Sequence, residues 1–393
     1  MRVLVINSGS SSIKFQLFKM PEANVVCSGM VERIGLKVSG IHYKTEKITI
    51  DNELVIENHS QGLAIIADYL MDTNHGVIKD VNEIDVVGHR VVHGGRSFSD
   101  TTLITEAVKH EIKALFGLAP LHNPPNLDGI EVAENIFPKA KQVAVFDTAF
   151  HQTIPEHAHR YAIPNEFYND GVRVYGFHGT SHKYVSERTI DYLGLSSSKI
   201  ITVHLGNGCS MTAVKDGKSI DHSLGFSPVS GLIMGTRSGD IDPAVIFYLN
   251  ENGMGMTEIQ SMLQKKSGML GLTGLSDLRD IEAAASKGDD QCTLALQMNA
   301  YRIQKYIGAY VSAMNGLDAV VFTAGIGENS SNMRRLVCEE MDFIGIELDE
   351  KLNDLRSGEL REINTTTSKV KILVVPTNEE LEIAKQSFAL VNN

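Results

Sequence analysis

The chain opens with a run of apolar residues that gives way to alternation of apolar and polar positions. Residues 3–6 are all apolar, residues 7–12 are asparagine, serine and glycine, and Ile13, Phe15 and Leu17 then recur at every second position. A buried strand, a tight polar turn and a half-buried strand are typical of a β-hairpin. The pattern therefore predicts that the chain begins with such a hairpin.

The same pattern of strand, turn and strand returns in the second half of the chain. Residues 199–217 repeat it, and Gly206 falls opposite Gly9 when the two segments are aligned. Residues 83–97 and 316–330 also correspond, because each reads as a buried strand that runs into a glycine-rich loop. Two related halves in the same order predict a duplicated α/β domain, with chance similarity between two α/β halves as the alternative.

Chain length also bears on the domain organisation, because 393 residues exceed what one hydrophobic core usually holds. Residues 148–173 are irregular and rich in histidine and proline, which is typical of a crossing between domains. We expect an N-terminal α/β domain over residues 1–150 and a C-terminal α/β domain over residues 151–377. A terminal helix over residues 378–393 is expected to pack back on the first domain.

Several further elements are predicted from spacing and from turn-forming residues. Residues 289–314 carry apolar side chains at steps of three and four, which predicts a long helix with one buried stripe. That stripe consists of Leu296, Ala300, Ile303, Ile307, Tyr310 and Met314. Ser276 is predicted to cap a helix over residues 276–286. The three prolines within residues 119–126 predict a rigid loop without regular structure.

Four glycine-rich segments follow predicted strands or connect them: residues 7–14, 204–208, 231–240 and 325–329. Junctions of this kind in α/β sheets commonly bind phosphates and nucleotides. The chain nevertheless contains no complete Walker A, G-x-G-x-x-G, H-E-x-x-H or G-x-S-x-G motif. These absences argue against a dinucleotide fold, a zincin and a nucleophile elbow.

Charge and cysteine content narrow the class of protein further. The formal net charge is −12 and no block of basic residues is present, which argues against a nucleic-acid surface. Cys27, Cys209, Cys292 and Cys338 are scattered without metal-ligand spacing and are expected to be reduced thiols. No apolar run is long enough to span a bilayer. We therefore expect a cytoplasmic protein that does not associate with a membrane.

Some charged side chains stand where chemistry is plausible, although structural roles remain open for each. Arg90 and Arg237 lie among small residues, which favours anion binding over a solvated stem, with an ordinary ion pair as the alternative. Asp147 follows a predicted strand and either orients a metal or an arginine, or caps a turn. Glu379 suits the first turn of the terminal helix.

Taken together, these residues resemble the acetate kinase family. The segments that carry the resemblance, in the family's order and spacing, are VINSGSSSIKF, GFHGTSH, HLGNG, MGTRSGDIDP, KKSGMLGL, TAGIGEN and PTNEEL. The resemblance implies duplicated ribonuclease-H-like domains of the acetate and sugar kinase, chaperone and actin superfamily, with the active site in the cleft between domains. It also implies a cytoplasmic homodimer that transfers a phosphoryl group reversibly between ATP and acetate, giving acetyl phosphate and ADP, with Mg²⁺ or in its place Mn²⁺.

The resemblance also implies roles for single residues of the catalytic set. Arg90 and Arg237 would hold the carboxylate and the transferring group. His178 would stabilise that group in flight and His122 would help to position it, although either histidine read by itself is more typical of a core histidine. Asp147 would orient the metal or an arginine. The residues expected near Mg²⁺ are Asn7 and Glu379.

The same resemblance implies which residues contact the nucleotide and the substrate. It also implies that the C-terminal domain binds the nucleotide. The residues expected at the phosphates are Lys14, Ser10, Ser12, His204, Leu205, Gly206, Asn207 and Gly208. Those expected to cradle the nucleotide are Asp277, Leu278, Arg279, Gly325, Ile326, Gly327, Glu328 and Asn329. Those expected to line the pocket for the methyl group of acetate, beside Arg90, are Val92, Leu121, Phe177 and Pro228.

Three competing functions stay open at the level of sequence. A propionate or butyrate kinase of the same family would differ only in its alkyl pocket, where Val92 favours acetate. A non-catalytic ATP switch of the actin and chaperone type would share the glycine loops but would not need Arg90, Arg237 and His178. A metal-dependent hydrolase that uses the histidines would require a bound metal.

Overall fold

The computed structural model of the protein describes residues 1–9 and 11–392, and the strands of these residues form two sheets. The strands are β1 (Arg2–Ser8), β2 (Ser12–Lys19), β3 (Asn24–Glu32), β4 (Ser39–Thr45), β5 (Thr49–Leu54), β6 (Val86–Val91), β7 (Thr102–Leu103), β8 (Lys141–Phe146), β9 (Lys199–Leu205), β10 (Cys209–Lys215), β11 (Lys218–His222), β12 (Ala319–Thr323), β13 (Arg361–Glu362) and β14 (Lys371–Val374). The α-helices are α1 (His59–Met71), α2 (Glu106–Ala114), α3 (Asn123–Ile136), α4 (Glu156–His159), α5 (Asn165–Asn169), α6 (Gly179–Leu193), α7 (Ala244–Glu251), α8 (Met256–Lys265), α9 (Gly268–Thr273), α10 (Leu278–Ala285), α11 (Asp290–Met314), α12 (Ala324–Asn329), α13 (Ser331–Cys338), α14 (Glu350–Asp354) and α15 (Glu379–Asn392).

The first sheet has the strand order β5-β4-β3-β2-β1-β6-β8-β7. Strands β1 and β2 pair antiparallel, with Ser8 opposite Ile13, so the predicted hairpin is confirmed. Strand β6 then pairs parallel with β1, and β8 pairs parallel with β6. The ends of these three parallel strands consequently lie along one edge of the sheet.

The second sheet has the order β11-β10-β9-β12-β14-β13 and repeats the central pattern of the first. Strand β10 pairs antiparallel with β9, while β12 pairs parallel with both β9 and β14. In each sheet a hairpin is therefore followed by two parallel strands on the side of its first strand. This shared topology confirms the duplication that the sequence predicts.

The chain divides into two units, one for each sheet. The first comprises Met1–Phe150, His178–Thr180 and the chain from Asn378 on, and the second comprises His151–Phe177 and Ser181–Thr377. In the first unit, α1 and α3 cover one face of the sheet and α15 covers the other, with Ile383 and Ala384 packed against Val3 and Val86.

Three local predictions are wrong. The proline-rich segment is not a loop up to residue 126, because α3 begins at Asn123 with proline in its first turn, where no amide hydrogen bond is lost. Residues 325–329 are helical and belong to α12, whose preceding strand ends at Thr323. The cap of α10 is Asp277, whose side chain accepts a hydrogen bond from the amide of Arg279, and not Ser276.

The buried stripe of α11 is confirmed, and no described helix could cross a membrane. All six apolar side chains predicted for the stripe are buried, which anchors α11 in the second unit. Among residues 1–9 and 11–392, no helix combines the length and the apolar character that a bilayer crossing requires.

Candidate active site

A buried ion pair stands at the end of β6 in the first unit. Arg90 donates from Nε to Oδ1 of Asp147 at 3.0 Å and from Nη2 to Oδ2 at 2.6 Å, and Asp147 is only 1% exposed. Such a two-point pair fixes the plane of the guanidinium group as well as its position. The third nitrogen, Nη1, donates to Oδ1 of Asn7 at 3.3 Å. Three residues that the sequence singled out are thus brought together.

The terminal helix adds a second carboxylate to this pair. Gly88 and Arg90 stand two residues apart on β6 and therefore face the same side of the sheet. A side chain at Gly88 would come within 2.6 Å of the hydroxyl of Ser387, so only glycine lets α15 pack this closely. The first turn of α15 then places Oε2 of Glu379 3.8 Å from Nε of Arg90.

The electrostatics of this cluster follow from burial and from its carboxylates. Burial lowers the pKa of Arg90, but Asp147 and Glu379 outweigh burial and hold that pKa above its ordinary value, so the guanidinium stays charged. Burial raises the pKa of Glu379, with Asp147 and Glu380 acting in the same direction and Arg90 and Lys14 opposing them. The cluster thus holds more negative than positive charge and favours a further cation.

Asp147 is held in place by the start of α6. The amide of Gly179 donates to the carbonyl of Asp147 at 2.9 Å, and Thr180 donates from its hydroxyl to Oδ1 at 3.4 Å. A Cβ at Gly179 would lie 2.1 Å from that carbonyl oxygen, so this close approach requires glycine. His178 precedes it with φ of 55°, a left-handed conformation that non-glycine residues seldom adopt. Strain at a predicted catalytic residue is typical of functional sites.

Lys14 lies on β2 next to the hairpin turn. Its Nζ is 2.6 Å from Oε1 of Glu380, and more than half of its side chain is exposed. In the turn, the amide of Gly9 donates to the carbonyl of Ser12 at 2.8 Å. Ser10, also expected at the phosphates, lies outside the described residues. Lys14 therefore has a position suited to an anion, because its cation is accessible.

Two buried asparagines in the first turn of α3 were missed by the sequence analysis. Asn126 accepts from the amide of Val92 at 3.0 Å and donates to the carbonyl of Ser8 at 2.7 Å. Asn123 accepts from the amide of His93 and donates to its carbonyl. Asn126 therefore ties the end of β1 to the first residue after β6, and Asn123 fixes the next residue of that loop. Two asparagines three residues apart, separated by two prolines, are the sequence signal that could have indicated them.

The remaining predicted residues of the first unit lie near this helix start. Val92 is 6% exposed, whereas Leu121 is about half exposed. His122 is the residue that precedes α3, and its carbonyl accepts from the amide of Asn126.

The second unit contains a cavity of about 840 Å³. Predicted nucleotide residues that line it are Gly206, Asn207, Asp277, Leu278, Arg279, Gly325, Ile326 and Asn329. Residues that line it without having been predicted include Met269, Glu282, Asn299 and Arg356. Strand ends, α10, α11 and α12 thus meet around one space, and its size suits a nucleotide.

Five predicted nucleotide residues of the second unit do not line this cavity, and two of them make side-chain contacts with other residues instead. They are His204, Leu205, Gly208, Gly327 and Glu328. His204 bonds to the hydroxyl of Ser181 at 2.9 Å. Glu328 accepts from the amide of Thr377 at 3.1 Å, and burial raises its pKa. These two side chains thus stabilise the loops around the cavity.

Arg237 differs from Arg90 in its surroundings. Its Nη1 donates to the carbonyl of Pro228 at 2.9 Å, and burial lowers its pKa, with the Cys209 thiol opposing this. No carboxylate in the described part of the chain pairs with it. A half-buried guanidinium that lacks a carboxylate partner is suited to bind an external anion.

Phe177, the last predicted substrate residue, is held by histidines of the second unit. His151 Nε2 lies 3.0 Å from the carbonyl of Phe177, and the amide of Phe177 donates to Nε2 of His222 at 3.1 Å. These two contacts fix the backbone of Phe177, which is 2% exposed. The sequence did not indicate His151 or His222, because their partners are distant in the chain.

The comparisons with known proteins agree over the full length of the chain. A family model described as the acetokinase family matches residues 2–385. A relative from Flavobacterium johnsoniae named acetate kinase is 64% identical over 395 residues, covering 100% of both chains. The crystal structure of Porphyromonas gingivalis acetate kinase has 47% identity and a TM-score of 0.93, covering 99% of both chains. That of a propionate kinase from Francisella tularensis has 42% identity and the same TM-score and coverage. The chain therefore belongs to the acetokinase family.

Proposed function

We propose that this chain transfers the terminal phosphoryl group of ATP to acetate, reversibly and in line, giving acetyl phosphate and ADP. Membership of the acetokinase family and the 64% identical relative named acetate kinase support this. The observation that carries the proposal is the rigid, charged guanidinium of Arg90, paired at two points with buried Asp147. An anionic acceptor needs such a group to approach an anionic phosphate.

The acceptor itself needs no general base. A small carboxylic acid has a pKa close to that of glutamate (~4.3) and is ionised at neutral pH. Asp147 has both oxygens engaged by Arg90, so its role is to orient the guanidinium and not to remove a proton. Arg90 thus binds an oxygen of acetate or of the transferring group.

Mg²⁺ fits the residues of the first unit. Asn7 and Glu379 offer oxygen ligands, and because burial raises the pKa of Glu379, a cation beside its carboxylate would stabilise the ionised form. Among the described residues no group of three or more histidine, cysteine, aspartate or glutamate side chains could hold a metal. Mg²⁺ commonly uses one or two carboxylates together with substrate phosphates, so this small donor set is adequate. When bound, Mg²⁺ would neutralise phosphate charge.

The other residues receive roles as part of the same proposal. Arg237 binds an anionic oxygen, His178 stabilises the transferring group and His122 helps to position it. Lys14 and Ser12 contribute donors to the phosphates. In the second unit, the cavity lined by the glycine turn at Gly206, by α10 and by α12 takes the nucleotide, since backbone amides at glycines approach phosphates closely.

A propionate kinase is the second candidate, favoured by the Francisella structure at 42% identity. Val92 is buried, and in the proposed alkyl pocket its side chain would limit the space for a longer chain and so favour acetate. Because one methylene changes discrimination by only about 1–3 kcal/mol, activity on both acids is expected. Comparison of kcat/KM for acetate, propionate and butyrate decides between them, and a propionate optimum would overturn the preference for acetate.

The reaction class is tested by trapping the product. Purified protein with ATP, Mg²⁺ and acetate should give acetyl phosphate, detected as its hydroxamate, and omission of Mg²⁺ should abolish the signal. Arg90→Ala should reduce the signal strongly, whereas Gln297→Leu, at an exposed site on α11, should not. Nucleotide binding without hydroxamate formation would instead support an ATP switch.

We also propose a cytoplasmic homodimer. Helix α7 has an apolar sequence but no buried residue, and Phe247 and Tyr248 are 64% and 65% exposed. An exposed apolar patch of this kind is typical of a protein interface. All four cysteines are buried and free, which accords with a reducing compartment.

A further inference from the structure

One polar side chain on the buried face of α11 lacks the contacts that burial normally demands. Asn299 is 6% exposed and stands within the apolar stripe, next to Ala300. Its Nδ2 lies 3.7 Å from the thioether sulfur of Met269. Its Oδ1 is buried and accepts no hydrogen bond from any described residue. Buried acceptors are rarely left in this condition, so this one calls for an explanation.

The orientation of this amide follows from its neighbour. A thioether sulfur is a weak acceptor and offers no proton, so the NH₂ group of Asn299 faces Met269. Its Oδ1 is left as an acceptor, and a partner must therefore bring an N–H or O–H donor. That requirement excludes a phosphate oxygen at neutral pH, because a phosphate oxygen is itself an acceptor.

The cavity that Asn299 lines has two kinds of lining residue. Met269, Leu278 and Ile326 contribute apolar side chains, whereas Gly206, in the turn between β9 and β10, and Gly325, in α12, present only backbone atoms. Aliphatic side chains and the polarizable thioether of methionine pack well against an aromatic ring. Amides at glycines suit phosphates. Asn299 adjoins Met269, so it lies beside the apolar residues that would hold a base.

We propose that Oδ1 of Asn299 accepts a hydrogen bond from the exocyclic amino group of adenine and makes the cavity select a 6-aminopurine. This inference rests on the proposed function, because it takes the cavity as the nucleotide site. A 6-oxopurine would place a second acceptor against Oδ1, which is repulsive. A purine without a substituent at this position would leave Oδ1 buried and unpaired, which also weakens binding.

The test compares three nucleotides on three proteins by titration calorimetry. The nucleotides are ADP, purine riboside 5′-diphosphate and IDP, and the proteins are the wild type, Asn299→Leu and Gln297→Leu. Gln297 is an exposed residue of the same helix and does not line the cavity, so it serves as the matched control. Leucine keeps the branching of asparagine and replaces its two polar atoms with methyl groups.

The wild type should bind ADP about tenfold more tightly than purine riboside diphosphate, the size of one buried hydrogen bond. Asn299→Leu should reduce this ratio to about twofold or less, and Gln297→Leu should leave it unchanged. A wild type that does not distinguish the two nucleotides, or an Asn299→Leu protein that keeps the wild-type ratio, overturns the inference. Asn299→Ala, checked by thermal unfolding, provides the same readout should the leucine variant fold poorly.

Failure of the proposed function is visible separately. Binding selectivity that depends on Asn299, without acetyl phosphate from the wild type, would overturn the proposed reaction and support the inference. Acetyl phosphate formation by a protein whose nucleotide selectivity does not depend on Asn299 would support the proposed reaction and overturn the inference. A ratio of kcat/KM for ATP over ITP that falls in Asn299→Leu, with KM for acetate unchanged, would support both.

Discussion

Replacing Asp147 by asparagine tests whether the ion pair organises the site. Asparagine keeps one acceptor oxygen but turns an NH₂ group towards a guanidinium N–H, so one of the two contacts with Arg90 becomes repulsive. Loss of one partner of a buried pair costs about 3–5 kcal/mol. Arg90 is 20% exposed and keeps Glu379 at 3.8 Å, which reduces the cost. We expect the free energy of unfolding to fall by about 2–3 kcal/mol.

The effect on activity should be about as large, in free energy, as the effect on stability. With Asp147 neutral, we expect the guanidinium to turn towards Glu379, whose Oε2 lies 3.8 Å from Nε of Arg90. Misplacement of a positioning group by about 1 Å costs on the order of 10²-fold. We therefore expect kcat/KM for acetate to fall by about 10²-fold, measured by hydroxamate formation at saturating ATP.

A matched control and a double-mutant cycle make this prediction decisive. Glu187→Gln removes the carboxylate of a half-exposed helical pair with Lys183 and should change stability by less than about 1 kcal/mol. Arg90→Leu combined with Asp147→Asn should be no less active than Arg90→Leu alone, because Asp147 acts through Arg90. An Asp147→Asn protein with near-normal activity and stability would refute the positioning role.

Four further outcomes are expected. Arg237→Ala should lower kcat by about 10²-fold in the hydroxamate assay, the scale of one lost anion-stabilising donor. Val92→Ala should raise kcat/KM for propionate relative to acetate by about tenfold, measured with both acids. Glu379→Gln should unfold at higher denaturant than the wild type near neutral pH but not in acid. Phe247→Asp should convert a dimer to a monomer in analytical ultracentrifugation, because it places a charge in an apolar contact.

The pH dependence in the third outcome has a definite sign. The folded-state pKa of Glu379 lies above its ordinary value of 4.5, chiefly because of burial. The wild type is therefore fully stabilised below that value and loses stability as pH rises through the folded pKa. Glutamine carries no charge, so the Glu379→Gln protein avoids this loss of stability. Its activity should nevertheless fall if Glu379 holds Mg²⁺. Equal pH profiles for the two proteins would contradict the raised pKa.

Each of the other three outcomes has its own refutation. Near-normal turnover by Arg237→Ala would exclude an anion-binding role for that guanidinium. An unchanged ratio of propionate to acetate in Val92→Ala would show that Val92 does not limit the alkyl pocket. A wild type that sediments as a monomer would remove the homodimer proposal.

The sequence by itself determined the features that depend on local periodicity. Alternation at Ile13, Phe15 and Leu17 predicted the first hairpin, because a strand exposes successive side chains to opposite faces. Steps of three and four predicted the buried face of α11. The repeated order of hairpin and glycine loop predicted the duplicated topology that both sheets share. Family membership followed from motifs and was confirmed over residues 2–385.

Tertiary structure alone decided which polar groups are paired. That Arg90 is held by Asp147, 57 positions away, depends on the parallel pairing of β6 with β8. Asn126, at the start of α3, contacts residues at the ends of β1 and β6, and no local pattern in the sequence specifies those contacts. Asn299 lies on a helical face that the sequence identified, but its unpaired oxygen follows from packing of separate elements around one cavity. Periodicity reports how a segment is buried, whereas hydrogen bonding depends on neighbours that are distant in the chain.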